Sequence, residues 1–433
     1  MSKLKGKNII LFGIVIGLLF SSLPQIVPFG FDHRNNRNNN LKIKTNGLNE
    51  SWNFSFDFFG LDMVIDFNNC IYIMTAEDYY SGPGPGYYGD LIILRYNSTG
   101  DQLWSFHLEG LRSEYSAIVV DSKSNLYLAS MYENETIVPN MILFKFNSSG
   151  DLKWQKTWDG GINGYIVDID VDSNDNIYIY GTSDLAESFK FDLFIAKYNS
   201  SGDQQWFHLY GEAEGDYDGW DMEIDLNSNV IVSGYYHLQE DFLNWIRCYN
   251  QSGQLKWEII SEQGGFYTLA VDSSDNLIVG RKSDIAKYDN SGSFIWSLNH
   301  QIEFYWAIKI AFDSSDNIYV GAGISIPADH HAYDLYVVKI NSSGDFEWYL
   351  TWGGSGDEDL IAIDIDSNKN IYLLSDHLLI KNPEHNGKLL TNEELWMFYL
   401  FFFGICILIS TISLFLILKR KAKQRSINEI SQS

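Results

Sequence analysis

The chain has 433 residues, 45% hydrophobic and 15% aromatic, and its 56 acids against 30 bases leave a net charge of −26. That much apolar matter excludes an intrinsically disordered polypeptide, and the negative balance excludes nucleic acid and anionic lipid headgroups as partners. Three cysteines, Cys70, Cys248 and Cys406, lie too far apart for a disulfide framework or a zinc-ligand spacing.

At the start, Lys3, Lys5 and Lys7 precede the apolar residues 9–20, so residues 1–29 read as a signal peptide or an N-terminal membrane anchor. No small-x-small cleavage site follows, and both alternatives stay open. Residues 30–45 form an Asn-rich linker. From 46 to 390 the chain repeats. Trp52, Trp104, Trp154, Trp206, Trp257, Trp296 and Trp348 recur 52, 50, 52, 51, 39 and 52 residues apart, six of them shortly after a turn such as Asn199-Ser-Ser-Gly-Asp. A second turn, as in Asp172-Ser-Asn-Asp-Asn, begins at Asp66, Asp121, Asp172, Asp225, Asp272, Asp313 and Asp366. Short β-branched and aromatic runs between such turns predict antiparallel hairpins. Four strands in each unit of about 50 residues, seven times over, predict an all-β, seven-bladed β-propeller. The first tryptophan strand has no Asp-turn before it and the last Asp-turn has no tryptophan strand after it. An N-terminal strand around Trp52 is therefore expected to close the last blade.

Residues 395–418 are 24 positions without a charge, enough to cross a hydrocarbon core of about 30 Å as a transmembrane helix. Lys419, Arg420, Lys421, Lys423 and Arg425 follow at once, which makes 419–433 a basic cytoplasmic tail. The expected location is the cell membrane, single-pass or two-pass, with the propeller on the extracellular side. Eight of the bases and only Glu429 of the acids lie in the two flanks, so the exterior part carries 55 acids against 22 bases.

Units such as Asp313-Ser-Ser-Asp-Asn-Ile-Tyr-Val-Gly, the run from Asp334 to Trp348 and Trp352-Gly-Gly resemble the secreted β-propeller repeat family often called SBBP, and less closely the NHL and PQQ-like repeats. The resemblance covers residues 45–390 and departs where the family has Gly in the first turn and this chain has Asp or Ser. It implies the propeller fold and carries over no catalytic residues.

In a four-stranded blade the two repeated turns share one end. Five of those turns are also N-glycosylation sequons, at Asn97, Asn147, Asn199, Asn250 and Asn341. The loops at the other end vary, and variable loops on a rigid scaffold carry binding residues. There the sequence offers Tyr79, Tyr80, Tyr87 and Tyr88 around the Gly-Pro run 81–86, then Tyr235, Tyr236 and His237, then His330 and His331. Tyrosine suits a sugar ring or a protein partner, and the same rings would equally serve to pack long loops. Acidic connections at the same end include Asp216 and Asp218 before the fourth blade and Asp357 and Asp359 before the seventh. Such carboxylates are candidate calcium ligands without EF-hand spacing, and no other cofactor is expected. Neither a nucleophile elbow, a zinc His-Glu-x-x-His nor a phosphate loop occurs. The expectation is a membrane-anchored, non-enzymatic cell-surface protein that binds a glycan or protein partner in adhesion or recognition through its aromatic and acidic face. The alternatives are an envelope assembly scaffold and an extracellular hydrolase or lyase.

Overall fold

The computed structural model describes residues 52–55, 58–77, 90–108, 111–133, 139–158, 164–183, 191–211, 216–238, 241–261, 265–281, 284–299, 306–325, 333–352 and 359–383. These form 28 strands, β1 (Trp52–Ser55) to β28 (Leu378–Pro383), in seven four-stranded antiparallel sheets. Six of the sheets are meanders of consecutive strands, so blade 1 is β2–β5, blade 2 is β6–β9, and so on to blade 6, β22–β25. Blade 7 has the order β1-β28-β27-β26, with Trp52 opposite Lys381 in the register. The innermost strands are β2 (Phe59–Ile65), β6 (Leu111–Val120), β10 (Gly164–Val171), β14 (Asp216–Ile224), β18 (Phe266–Val271), β22 (Trp306–Phe312) and β26 (Leu360–Ile365).

The first repeated turn works through its aspartate. In all seven blades one carboxylate oxygen, that of Asp172 for instance, accepts the backbone N–H two and four residues on, both at 2.9 Å. The residue three on is left-handed, with φ from 56° to 63°, and is never Gly among these turns. The second turn repeats the arrangement with Asn or Asp289 as acceptor and a Gly at φ 76° to 94°.

Those glycines explain five of the seven repeated tryptophans. The Trp104 ring of blade 1 covers Gly150 in the second turn of blade 2, so close that a Cβ on Gly150 would lie 2.9 Å from it, and the indole N–H donates to Ser148 O at 3.1 Å. Trp154 covers Gly202, Trp257 covers Gly292 and Trp296 covers Gly344 in the same way. Trp52 does this across the seam, covering Gly100 and donating to Ser98 O at 3.3 Å. Between the sheets lie seven apolar clusters, each shared by two neighbouring blades, for instance Tyr127, Ile177, Ile179 and Phe194 between blades 2 and 3. Burial at this scale, about 25 cal/mol per Å² of apolar surface, is the main cohesive force between blades.

The predicted apolar segments 9–20 and 395–418 lie outside the described residues. Among the described residues no helix is long and apolar enough to cross a membrane.

Candidate binding face and channel

The innermost strands have no further strand on the axial side, so their edge N–H groups need other acceptors. Aspartates supply them at fixed offsets. Asp62, four residues before its turn aspartate, accepts Ile118 N of the next blade at 3.0 Å; Asp168 accepts Met222 N at 3.3 Å and Asp221 accepts Leu269 N at 2.7 Å from the same offset. Two residues further on, Asp170 accepts Ile224 N at 3.0 Å and Asp364 accepts Ile65 N at 2.9 Å. A bulge immediately precedes Asp62, Asp168 and Asp221 in the pairing with the second strand, which re-aims these side chains toward the axis.

Glu223 and Lys309 share this channel without a hydrogen bond among the described residues. Burial lowers Lys309, but the carboxylates of Asp221, Asp62, Asp168 and Glu223 outweigh it and raise the ammonium above its ordinary value. Lys309 is exposed to the bore although protein encircles it, so the surrounding charge rather than desolvation decides its state. The acids are raised as well. Burial, reinforced by neighbouring carboxylates, pushes Asp168 and Glu223 well up, Asp170 up to about 7 and Asp364 up to about 6. The crowding of these acids thus favours their protonated forms and the charged form of Lys309.

At the variable-loop mouth this channel meets an aromatic cluster. Strand β14 places Asp218 between two phenols: Tyr165 of blade 3 donates to one oxygen and Tyr235 to the other, at 3.0 Å. Trp220 on the same strand is 40% exposed, with Tyr267 edge-on at 5.2 Å and Tyr235 tilted at 5.6 Å. Phe242, 57% exposed, stacks on His237 at 4.3 Å and lies 6.0 Å from Tyr235. Tyr115 stacks on Tyr165 at 5.1 Å and extends the cluster toward blade 2. Burial, then the Asp218 carboxylate, pushes the Tyr165 phenol up.

The structure therefore unites Tyr235, His237 and Asp218 from the sequence reading. Tyr235–His237 and Asp216–Asp221 are strand residues, because β14 and β15 (Val230–Leu238) pair as far as Asp216↔His237. Tyr236 points to the other side of its strand and packs on Tyr217 at 5.5 Å. Asp359 precedes β26 in blade 7, on a different blade from Asp218. Tyr79, Tyr80, Tyr87, Tyr88, His330, His331 and Asp357 lie outside the described residues, as does the side chain of Asp216. Among the described residues no three His, Cys, Asp or Glu side chains converge as metal ligands. The sequon asparagines Asn97, Asn147, Asn199 and Asn341 each donate their side-chain amide to the aspartate four residues on, and Asn250 donates to Gln254. The channel acids Asp62, Asp168, Asp170, Glu223 and Asp364, Lys309 and the ring of Trp220 were missed. A charged residue two or four positions before the turn aspartate, where the remaining blades carry Ala, Val or Thr, was the available signal.

No protein-family model matches the chain. An uncharacterized WD repeat-containing protein of Acanthamoeba polyphaga mimivirus is similar at 22% identity over 195 residues, covering 34% of this chain and 14% of the relative's own length. A crystal structure of a protein of unknown function from Bacteroides caccae is similar with a TM-score of 0.37 and 13% identity, over 54% of this chain and 78% of that one. The distant WD-repeat relative and the seven four-stranded sheets support a repeat β-propeller; kinship with the SBBP, NHL or PQQ-like repeats in particular is not shown.

Proposed function

We propose that this propeller is a membrane-anchored cell-surface protein that binds a glycan or protein partner, in adhesion or recognition, through its variable aromatic and acidic face. The observation that carries the reading is the exposed Trp220 ring, boxed by Tyr267 and Tyr235 beside a carboxylate held by two phenols. Aromatic rings of this kind offer apolar area with little entropy to lose, and a fixed carboxylate adds direction. The test is a crosslinking pull-down from intact envelopes with the full chain, followed by affinity measurement on whatever is retained. Trp220→Ala is expected to weaken binding at least tenfold with an unchanged melting temperature. A partner held equally well by this variant would remove the face from consideration.

A hydrolase or lyase is the second reading, favoured by one observation: Asp170 and Asp364 are pushed into the range of a general acid. Against it, each of these carboxylates already accepts two backbone N–H groups, from its own strand and from the next blade. Turnover of a glycan that disappears in Asp170→Asn would favour catalysis. We further propose that β1 acts as the clasp of the ring and that residues 395–418 anchor the protein.

A further inference from the structure

The turn end of the propeller, opposite the aromatic cluster, carries one departure from its own repeat. Six blades put a lysine or arginine on the third strand opposite the repeat tryptophan: Arg95, Lys145, Lys197, Lys287, Lys339 and Lys381. Four of them pair with the turn aspartate of their own blade, Arg95 with Asp66 at 3.0 Å, Lys145 with Asp121 at 3.6 Å, Lys197 with Asp172 at 3.8 Å and Lys287 with Asp272 at 2.7 Å. Cations at this position also reach the second turn of the next blade. Arg95 donates to Ser148 O at 2.5 Å, Lys145 to Ser200 O at 3.2 Å and Lys381 to Ser98 O at 3.0 Å. A buried cation thus bridges a carboxylate of one blade and a carbonyl of the next.

Blade 4 differs at this position. Opposite Trp257 stands Cys248, and Ile231, like Ile278 of blade 5, takes the place of the tyrosine that Tyr72, Tyr127, Tyr178, Tyr319 and Tyr372 provide in the other five blades. Burial pushes the Cys248 thiol up to about 12, so it is neutral. The adjacent Arg247 is engaged by Glu258 at 2.6 Å. Asp225 is only 6% exposed, and it accepts hydrogen bonds from Asn227 N, Asn229 N and the Asn229 amide at 2.5 to 2.9 Å. No cation among the described residues forms an ion pair with it. Asn290 O, the carbonyl that corresponds to Ser148 O, faces the same region and among the described residues accepts the Trp257 indole N–H, at 3.1 Å. Between them is a cleft of about 390 Å³ lined by Asp225, Asn229, Lys256, Trp257, Asn290 and Ser291.

We propose that this cleft binds a primary ammonium on an extended alkyl chain, a lysine side chain of a partner peptide, which bridges Asp225 and Asn290 O as Lys145 bridges Asp121 and Ser200 O in blades 2 and 3 and Lys287 bridges Asp272 and Ser342 O in blades 5 and 6. A carboxylate this buried gains from a counter-charge that brings its own hydrogen bonds, and Trp257 adds an aromatic wall for the cation. The site is independent of the aromatic face. It offers the turn end a binding role that six other blades have closed with their own side chains.

The full chain in detergent micelles is titrated at low salt with N-acetyl-lysine methylamide, with 1,5-diaminopentane and, as the neutral control, with N-acetyl-norleucine methylamide. The expected result is binding of both ammonium compounds at least tenfold tighter than of the control. Tighter binding of the peptide-like probe than of the diamine marks a partner's lysine as the source. Cys248→Lys, which restores the repeat, is expected to abolish this binding and raise the melting temperature, while Cys248→Ser retains it. Asp225→Asn, which keeps the acceptor of the turn but not the charge, is the second variant and is also expected to lose binding. No preference for the ammonium, or equal binding by wild type and Cys248→Lys, overturns the proposal. So does binding that is seen only in Lys256→Gln, since Lys256 would then fill the cleft itself.

Discussion

Ser228 and Gly150 sit at φ 58° and 85°, and the difference between them sets opposite expectations for substitution. Ser228 is the left-handed residue of the Asp225 turn, where a side chain costs conformational energy that glycine does not. Ser228→Gly is therefore expected to raise stability by up to about 1 kcal/mol in denaturant unfolding. Gly150 has a left-handed backbone and also lies beneath Trp104, with a Cβ position 2.9 Å from the ring. Gly150→Ala is expected to cost about 1–3 kcal/mol, because both strain and displacement of the indole act together. Equal effects in the two turns would mean that the tryptophan contact contributes nothing. The turns were the most legible part of the chain. Their chemistry is local, and one aspartate oxygen satisfying N–H groups two and four residues on can be read directly from the spacing.

At the scale of the element, β1 contributes four residues to blade 7 but touches both sides of the seam. Trp52 is 7% exposed, lies edge-on to Tyr372 at 6.0 Å and covers Gly100 of blade 1. If β1 is the clasp of the ring, Trp52→Ala removes a large buried ring and an indole hydrogen bond at the seam, and about 3–5 kcal/mol is expected to be lost. Trp206→Ala is expected to cost less, since Trp206 is more exposed and meets blade 4 at one point of a continuous chain. Comparison of the two variants by chemical denaturation checks this. A Trp52→Ala protein no less stable than Trp206→Ala would remove the clasp. The strands β14 and β15 illustrate what spacing could not reveal. Asp216, Asp218 and Tyr235–His237 were read as loop residues, yet the pairing runs on through them, because polar and aromatic residues remain in a strand when the facing strand supplies partners for the backbone.

For the whole molecule, the channel determines how stability responds to pH. Asp170 and Asp364 are raised to about 7 and about 6 from an ordinary 3.8, so between about pH 4 and pH 7 the folded protein holds protons that the unfolded chain has released. Stability is expected to fall as pH rises through that interval. The turn aspartates Asp172, Asp272 and Asp313 shift the other way: burial raises them, but the hydrogen bonds and cations around them prevail and hold them low, and their contribution is lost as pH falls below about 3.8. The melting temperature is thus expected to peak between about pH 4 and 5 and to decline toward pH 8, with the decline reduced in Asp170→Asn. A melting temperature independent of pH from 4 to 8 would contradict the channel electrostatics. For the proposed anchor, the full chain is expected to stay with membranes after alkaline carbonate washing and a variant lacking 395–418 to be released; release of both would end the anchored reading.

Blade number, strand number and the roles of the repeated Asp and Gly positions were open to inference from residue order alone. They rest on period, turn chemistry and alternation, each set within a few residues along the chain. The channel, the tyrosine pair around Asp218 and the cleft beside Asp225 depended on closure of the ring. Asp62 and Lys309 are far apart in sequence and become neighbours only when seven inner strands share one axis, and Cys248 acquires meaning only when six lysines and arginines occupy the equivalent place in the other blades. Contacts between blades depend on which faces the sheets present to each other, and that geometry is encoded by packing across the whole circle rather than by any local run of residues.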